Sequence, residues 1–194
     1  PYTTFQSENP EDLWKWMTEW ERTTGGKLLA IPHNGNLSNG RMFELTTFAG
    51  APLTKAWADE RQKWEPLFEA IQMKGQSESH PSLSVTDEFA KNYELWDRGN
   101  LVLAPKKPEM IQYEYAREAL KNGIKVEQDT GANPFKYGMS AATDTHNGLT
   151  AAEEDNYFAK FPSAGPRADR WDEDAMKFGD RVIKGWELTA AGRT

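Results

Sequence analysis

Apolar residues recur along the chain with a period that changes from segment to segment. Leu13, Trp16, Met17 and Trp20 stand at i, i+3, i+4 and i+7, the spacing of one helix face. Asn9 precedes them as an N-cap. Pro10 suits the first helical position, Glu11 and Asp12 favour the positive end of the helix dipole, and Gly25-Gly26 closes the segment. The run Leu28-Leu29-Ala30-Ile31 then reads as a short strand buried on both faces, closed by Pro32. Asn34 to Gly40 is dense in turn residues and reads as a loop. The same order returns downstream, with a helix over 53–64, a strand over 67–73 and a polar loop over 74–79.

A helix over 86–96 is expected, with Phe89, Tyr93 and Trp96 facing inward. Another is expected over 108–126, where Gly123 weakens the end. Residues 137–143 read as a small-residue strand. Thr150 with Glu153 forms a capping box for a last helix, and 161–179 reads as an extended surface excursion. Strands alternating with helices predict an α/β fold with a parallel sheet. The strands ending at Ile31, Met73 and Thr143 are expected to be parallel, with their ends on one side.

Composition narrows the partners. Of 194 residues, 38% are hydrophobic and 15 are glycine, which is the balance of a chain that folds. The length fits a single domain. The formal net charge is −7, which argues against non-specific nucleic-acid binding and against anionic membranes. Apolar runs are far shorter than the ~20 residues that span a bilayer. The opening residues carry no leader pattern, and the chain begins at Pro1 without an initiator methionine, which reads as an excised segment.

Cysteine is absent, so any transition metal would be held by His, Asp and Glu. The three histidines, His33, His80 and His146, each follow a strand-like run. Parallel α/β folds gather their sites at the C-terminal ends of strands. In an extended segment Asp144 and His146 point the same way, and carboxylate plus imidazole suits Zn²⁺, Mn²⁺ or Fe²⁺. The competing reading makes each histidine a hydrogen-bonding residue beside a turn. It also makes the eight tryptophans packing residues rather than a sugar platform.

Four segments in order, Ile31-Pro32-His33-Asn34-Gly35-Asn36-Leu37-Ser38-Asn39-Gly40, Lys74-Gly75-Gln76-Ser77-Glu78-Ser79-His80-Pro81, Asn133-Pro134-Phe135-Lys136-Tyr137-Gly138 and Thr143-Asp144-Thr145-His146-Asn147, resemble the DUF3604 family. That family looks related to the PHP (polymerase and histidinol phosphatase) domains among the amidohydrolase-like metal-dependent hydrolases. The resemblance implies a PHP-like, distorted TIM-type β/α barrel with a multinuclear metal centre. It makes His33, His80, Asp144 and His146 the metal ligands, with Asp144 also able to orient or deprotonate the catalytic water. Glu78 has no counterpart in PHP domains and stands as an alternative ligand, and Lys74 as a positive charge for an oxyanion. The early His-X-His, Asp-His pair and bridging Glu of such sites are absent. Residues 1–194 are therefore expected to be the C-terminal part of a larger barrel, holding part of a shared site.

The leading expectation is a metal-dependent, phosphoesterase-like hydrolase that uses a metal-activated water. It needs divalent Zn, Mn or Fe in the intact protein, with binding weak or absent in this segment, which is itself expected to be inactive. Its partners would be a small-molecule substrate, with a phosphoester as the first candidate, and a second copy docked through the open barrel face. The alternative is a non-catalytic carbohydrate- or protein-binding domain that uses exposed tryptophans near Trp171 and Trp186.

Overall fold

The computed structural model describes residues 2–72, 74–91, 99–100, 104–149, 165, 167–170 and 172–185. Helix α1, Pro10–Thr24, follows its sequence signals. The Asn9 side-chain oxygen accepts from the Glu11 N–H at 3.0 Å, and Gly25 ends the helix at φ 73°. Helix α2, Lys55–Trp64, begins after Thr54, whose hydroxyl accepts from the Trp57 N–H at 3.2 Å. Strand β1, Leu67–Gln72, is the centre of a three-stranded sheet in the order β2-β1-β3. Strand β2, Gly75–Gln76, turns back antiparallel to it, and β3, Gly138–Ala141, runs parallel with Leu67 opposite Gly138. The architecture is mixed α/β with a small open sheet, and the described residues do not close into a barrel.

Several sequence expectations are corrected. The run 28–31 is extended but forms no strand. Two backbone bonds tie it down, Ala30 N–H to the Trp64 carbonyl at 2.8 Å and Glu69 N–H to the Pro32 carbonyl at 3.0 Å. Pro32 has no N–H, so a regular ladder stops there. Nor is the run buried on both faces: Leu28 and Ala30 pack on the α1–α2 core, while Leu29 and Ile31 are 51% and 45% exposed.

The helix expected over 108–126 is two helices, α3, Pro108–Ile111, and α4, Ala116–Thr130. The break has a physical cause. The Ala116 and Arg117 N–H groups donate to the Ser77 and Glu78 carbonyls at 2.8 and 2.9 Å, so α4 starts where the β2 loop needs donors. Helix α4 runs past Gly123 to Thr130, and a glycine stands there because a Cβ would collide with the Asn133 side chain.

Only a 3₁₀ turn, Glu88–Lys91, is described in the expected 86–96 helix, and Phe89 is exposed rather than inward. Tyr93, Trp96, Met73 and the capping box of Thr150 and Glu153 lie outside the described residues. The expected excursion at 161–179 includes β4, Asp174–Phe178, paired antiparallel with β5, Arg181–Lys184. Gly179 at φ 59° opens the two-residue turn between them, where a glycine is favoured.

Two apolar clusters hold the chain. Phe43, Phe68, Ala70, Ala116, Ala119 and Phe135 pack where β1 meets α4. Trp14, Met17 and Trp64 pack between α1 and α2. Arg61, only 9% exposed, joins them. Its guanidinium lies 4.9 Å from the Phe135 ring centroid and 5.6 Å from that of Trp57. Its Nε meets the Glu65 carboxylate at 3.0 Å, and its Nη2 donates to the Met42 carbonyl at 2.7 Å. Glu65 in turn accepts from the Trp14 indole N–H at 3.0 Å.

Candidate functional site at the strand ends

The parallel pairing of β1 and β3 puts the ends of both strands on one side of the sheet. The loops that follow carry Lys74 and Asp144. The Lys74 ammonium pairs with Asp144 Oδ2, and Asp144 Oδ1 lies 2.9 Å from His146 Nε2. Lys74 is buried and Asp144 is half-buried, whereas His146 is exposed. Asp144 adopts φ 58°, in the left-handed region that Asp and Asn tolerate better than other side chains. Asn34 and Asn39, at φ 57° and 54°, are the other non-glycine residues with positive φ among the described residues. All three lie in loops that follow extended segments.

A polar hub holds these loops. The Asn36 N–H donates to Ser77 Oγ at 2.9 Å, its Nδ2 donates to the Lys74 carbonyl at 3.0 Å, and its Oδ1 accepts from the Ser77 hydroxyl at 2.9 Å. Lys106 donates to the Asn36 carbonyl and to Glu114 Oε2, the latter at 2.5 Å. Glu114 Oε1 accepts from the Gly40 N–H at 2.9 Å. Glu114 is fully buried, and this burial pushes its carboxyl above the usual range against the opposing pull of Lys106. Gly35 is required here, since a Cβ would sit 2.6 Å from the Glu114 carbonyl oxygen. The Gln76 side chain shapes the turn, accepting from the Glu78 and Ser79 N–H groups at 2.8 and 3.0 Å.

The remaining sequence candidates make other contacts. His33 is exposed and follows Pro32, whose carbonyl bonds β1 at Glu69. His80 packs edge-on against Tyr115 at 5.2 Å, and its Nδ1 accepts from the Ser82 N–H at 3.1 Å. The Ser82 hydroxyl lies 2.7 Å from the same Nδ1. Burial, then Lys106, lowers the His80 pKa below its ordinary value. Glu78 pairs with Arg117 at 2.6 Å, and Arg117 also holds Asp87 at 2.5 Å. Among the described residues, no three His, Asp or Glu side chains converge as a metal-binding group.

Sequence reasoning missed Asn36, Ser77, Lys106 and Glu114. Asn36 had a signal in its Asn/Gly-rich loop, but Lys106 and Glu114 meet it only through tertiary contacts. Trp171 and Trp186, named for the binding-domain reading, lie outside the described residues. No described helix is long and apolar enough to cross a membrane.

No curated protein and no solved structure matches the chain significantly. The family model described as "Protein of unknown function (DUF3604)" matches residues 1–194, which includes both strand-end loops and the Asp144–His146 pair. The chain therefore belongs to the DUF3604 family.

Proposed function

We propose that the chain contributes part of a metal-dependent, phosphoesterase-like hydrolase site, set at the strand ends of a PHP-like β/α barrel. The observation that carries this reading is the contact set of Asp144, with Lys74 on one carboxylate oxygen and His146 Nε2 2.9 Å from the other. It unites the residues that end the two parallel strands, where α/β folds place their chemistry.

The donor set suits a borderline divalent ion. Asp144 offers oxygen and His146 nitrogen, and His33 has an exposed imidazole to add. His80 would ligate through Nε2 with its Nδ1–H donating to the Ser82 hydroxyl, 2.7 Å away. When bound, the metal supplies a Lewis acid and brings the pKa of a coordinated water towards ~7. The chain's own groups do the rest. Lys74 holds a buried ammonium beside the site, placed to balance the negative charge of a phosphoester oxygen. Asp144 is held from both sides and would orient the water as a hydrogen-bond acceptor.

Calorimetric titration of the chain with Zn²⁺ or Mn²⁺ tests the reading. Asp144→Asn and His146→Ala should each weaken uptake. Uptake unchanged in both variants would place the metal elsewhere and overturn the assignment.

A further inference from the structure

A cleft of about 210 Å³ opens between the start of α1, the loop 41–48 and α2, and shares no lining residue with the strand-end site. Its walls are fixed. Thr46 bridges Pro52, and the Thr47 N–H donates to the Ala51 carbonyl at 2.8 Å, which closes the loop. Trp57 and Arg61 stand four residues apart on one face of α2, and the Trp57 indole N–H donates to Glu11 at 3.0 Å. The Arg61 charge is already matched by Glu65.

Three lining charges are left over: Arg41, Glu8 and Glu44. The Arg41 guanidinium lies 5.0 Å above the Phe48 ring, and no hydrogen bond or ion pair engages its side chain among the described residues. The same holds for the carboxylates of Glu8 and Glu44. The cleft therefore offers one cation, two anions and two aromatic side chains.

We infer that this cleft binds a basic α-amino acid. Its carboxylate matches the planar fork of Arg41. Its two cationic nitrogens match Glu8 and Glu44, and its alkyl stem lies along Trp57 and Phe48. The net negative charge of the three free groups complements the net positive charge of such a ligand. The volume lies below the ~300–1,000 Å³ typical of drug-sized pockets, which restricts the occupant to a small molecule. A neutral sugar offers hydroxyls to the three charges but no ion pair. The inference is independent of the strand-end hydrolase reading.

Calorimetry of the 194-residue chain with L-arginine and L-lysine at low ionic strength tests it, with L-norleucine and glucose as comparison probes. Arginine and lysine should bind, and added salt should weaken them. Arg41→Ala and Glu44→Gln should each weaken binding roughly tenfold or more, with far-ultraviolet dichroism and melting temperature unchanged. Norleucine binding as tightly as lysine would overturn the inference, because recognition of the second cation would then be absent. Glucose binding without the amino acids would overturn it in favour of a sugar site. Arginine binding that survives both substitutions, or no heat with any probe, would overturn it as well.

Discussion

At the scale of single residues, the strand-end loops depend on buried charges that are individually costly and mutually satisfied. Lys106 and Glu114 form such a pair, at 12% and 0% side-chain exposure. Removing one partner of a buried pair leaves the other uncompensated, at a cost of about 3–5 kcal/mol. Lys106→Met should therefore destabilise strongly in urea unfolding. Glu114→Gln should also destabilise, because an amide oxygen kept on the Gly40 N–H turns the amide NH2 toward the Lys106 ammonium. His80 gives a pH signature. Its folded pKa is lowered, so below about 6.5 the unfolded chain binds more protons than the folded one. Stability should then fall as pH drops below that value, with the His80 contribution abolished in His80→Gln. An NMR titration of the His80 ring should show a midpoint below 6.5.

At the scale of elements, the joints between helices and sheet matter more than the elements themselves. Arg61 on α2 ties the two aromatic clusters together and balances Glu65. Arg61→Met keeps much of the apolar stem but strands a buried carboxylate, so a loss of about 3–5 kcal/mol is expected from thermal or urea unfolding. Arg61→Lys should fall between this variant and the wild type, since it restores charge without the fork that reaches both Glu65 and the Met42 carbonyl. Gly123 on α4 is a second joint. Gly123→Ala would improve helix propensity in isolation by about 1 kcal/mol, yet it should destabilise the protein because the new Cβ meets Asn133. Melting temperatures of the wild type and Gly123→Ala decide between the two effects.

At the scale of the whole molecule, the proposed metal chemistry rests on ligands that are spread along the chain. Asp144 and His146 touch, and among the described residues neither His33 nor His80 completes a three-residue metal-binding group with them. Two adjacent donors bind a divalent ion less tightly than a closed set of four. Zn²⁺ or Mn²⁺ titration should therefore show weak binding at neutral pH that disappears towards pH 5, because protonated imidazole cannot ligate and a free imidazole titrates near ~6.5. Asp144→Ala should remove an anionic ligand and weaken binding further, and His33→Ala should weaken it if that imidazole joins the set. Unchanged isotherms in both variants would exclude these residues as ligands.

Local signals were enough for the parts of this protein governed by neighbours in sequence. The Asn9 cap, Pro10 and Gly25 bounded α1 almost to the residue, because capping is a short-range hydrogen-bonding problem. The parallel relation of β1 and β3 followed from their separation by intervening helices, since parallel strands need a long crossover. The Asp-X-His spacing anticipated the pair, but its contact forms through the left-handed backbone of Asp144 at φ 58° rather than through an extended segment. Tertiary structure decided what depends on distant partners. Segment 28–31 became an extended tether with one exposed face because only one side met the tryptophan core and Pro32 could not extend a ladder. The 108–126 helix broke because the loop at Ser77 and Glu78 took the N–H groups that begin α4. Lys74 reached Asp144, and Lys106 reached Glu114 and the Asn36 carbonyl, across chain separations that no local pattern encodes. A buried charge selects whichever opposite charge the packed fold brings within hydrogen-bond reach, so its partner is set by packing rather than by sequence spacing.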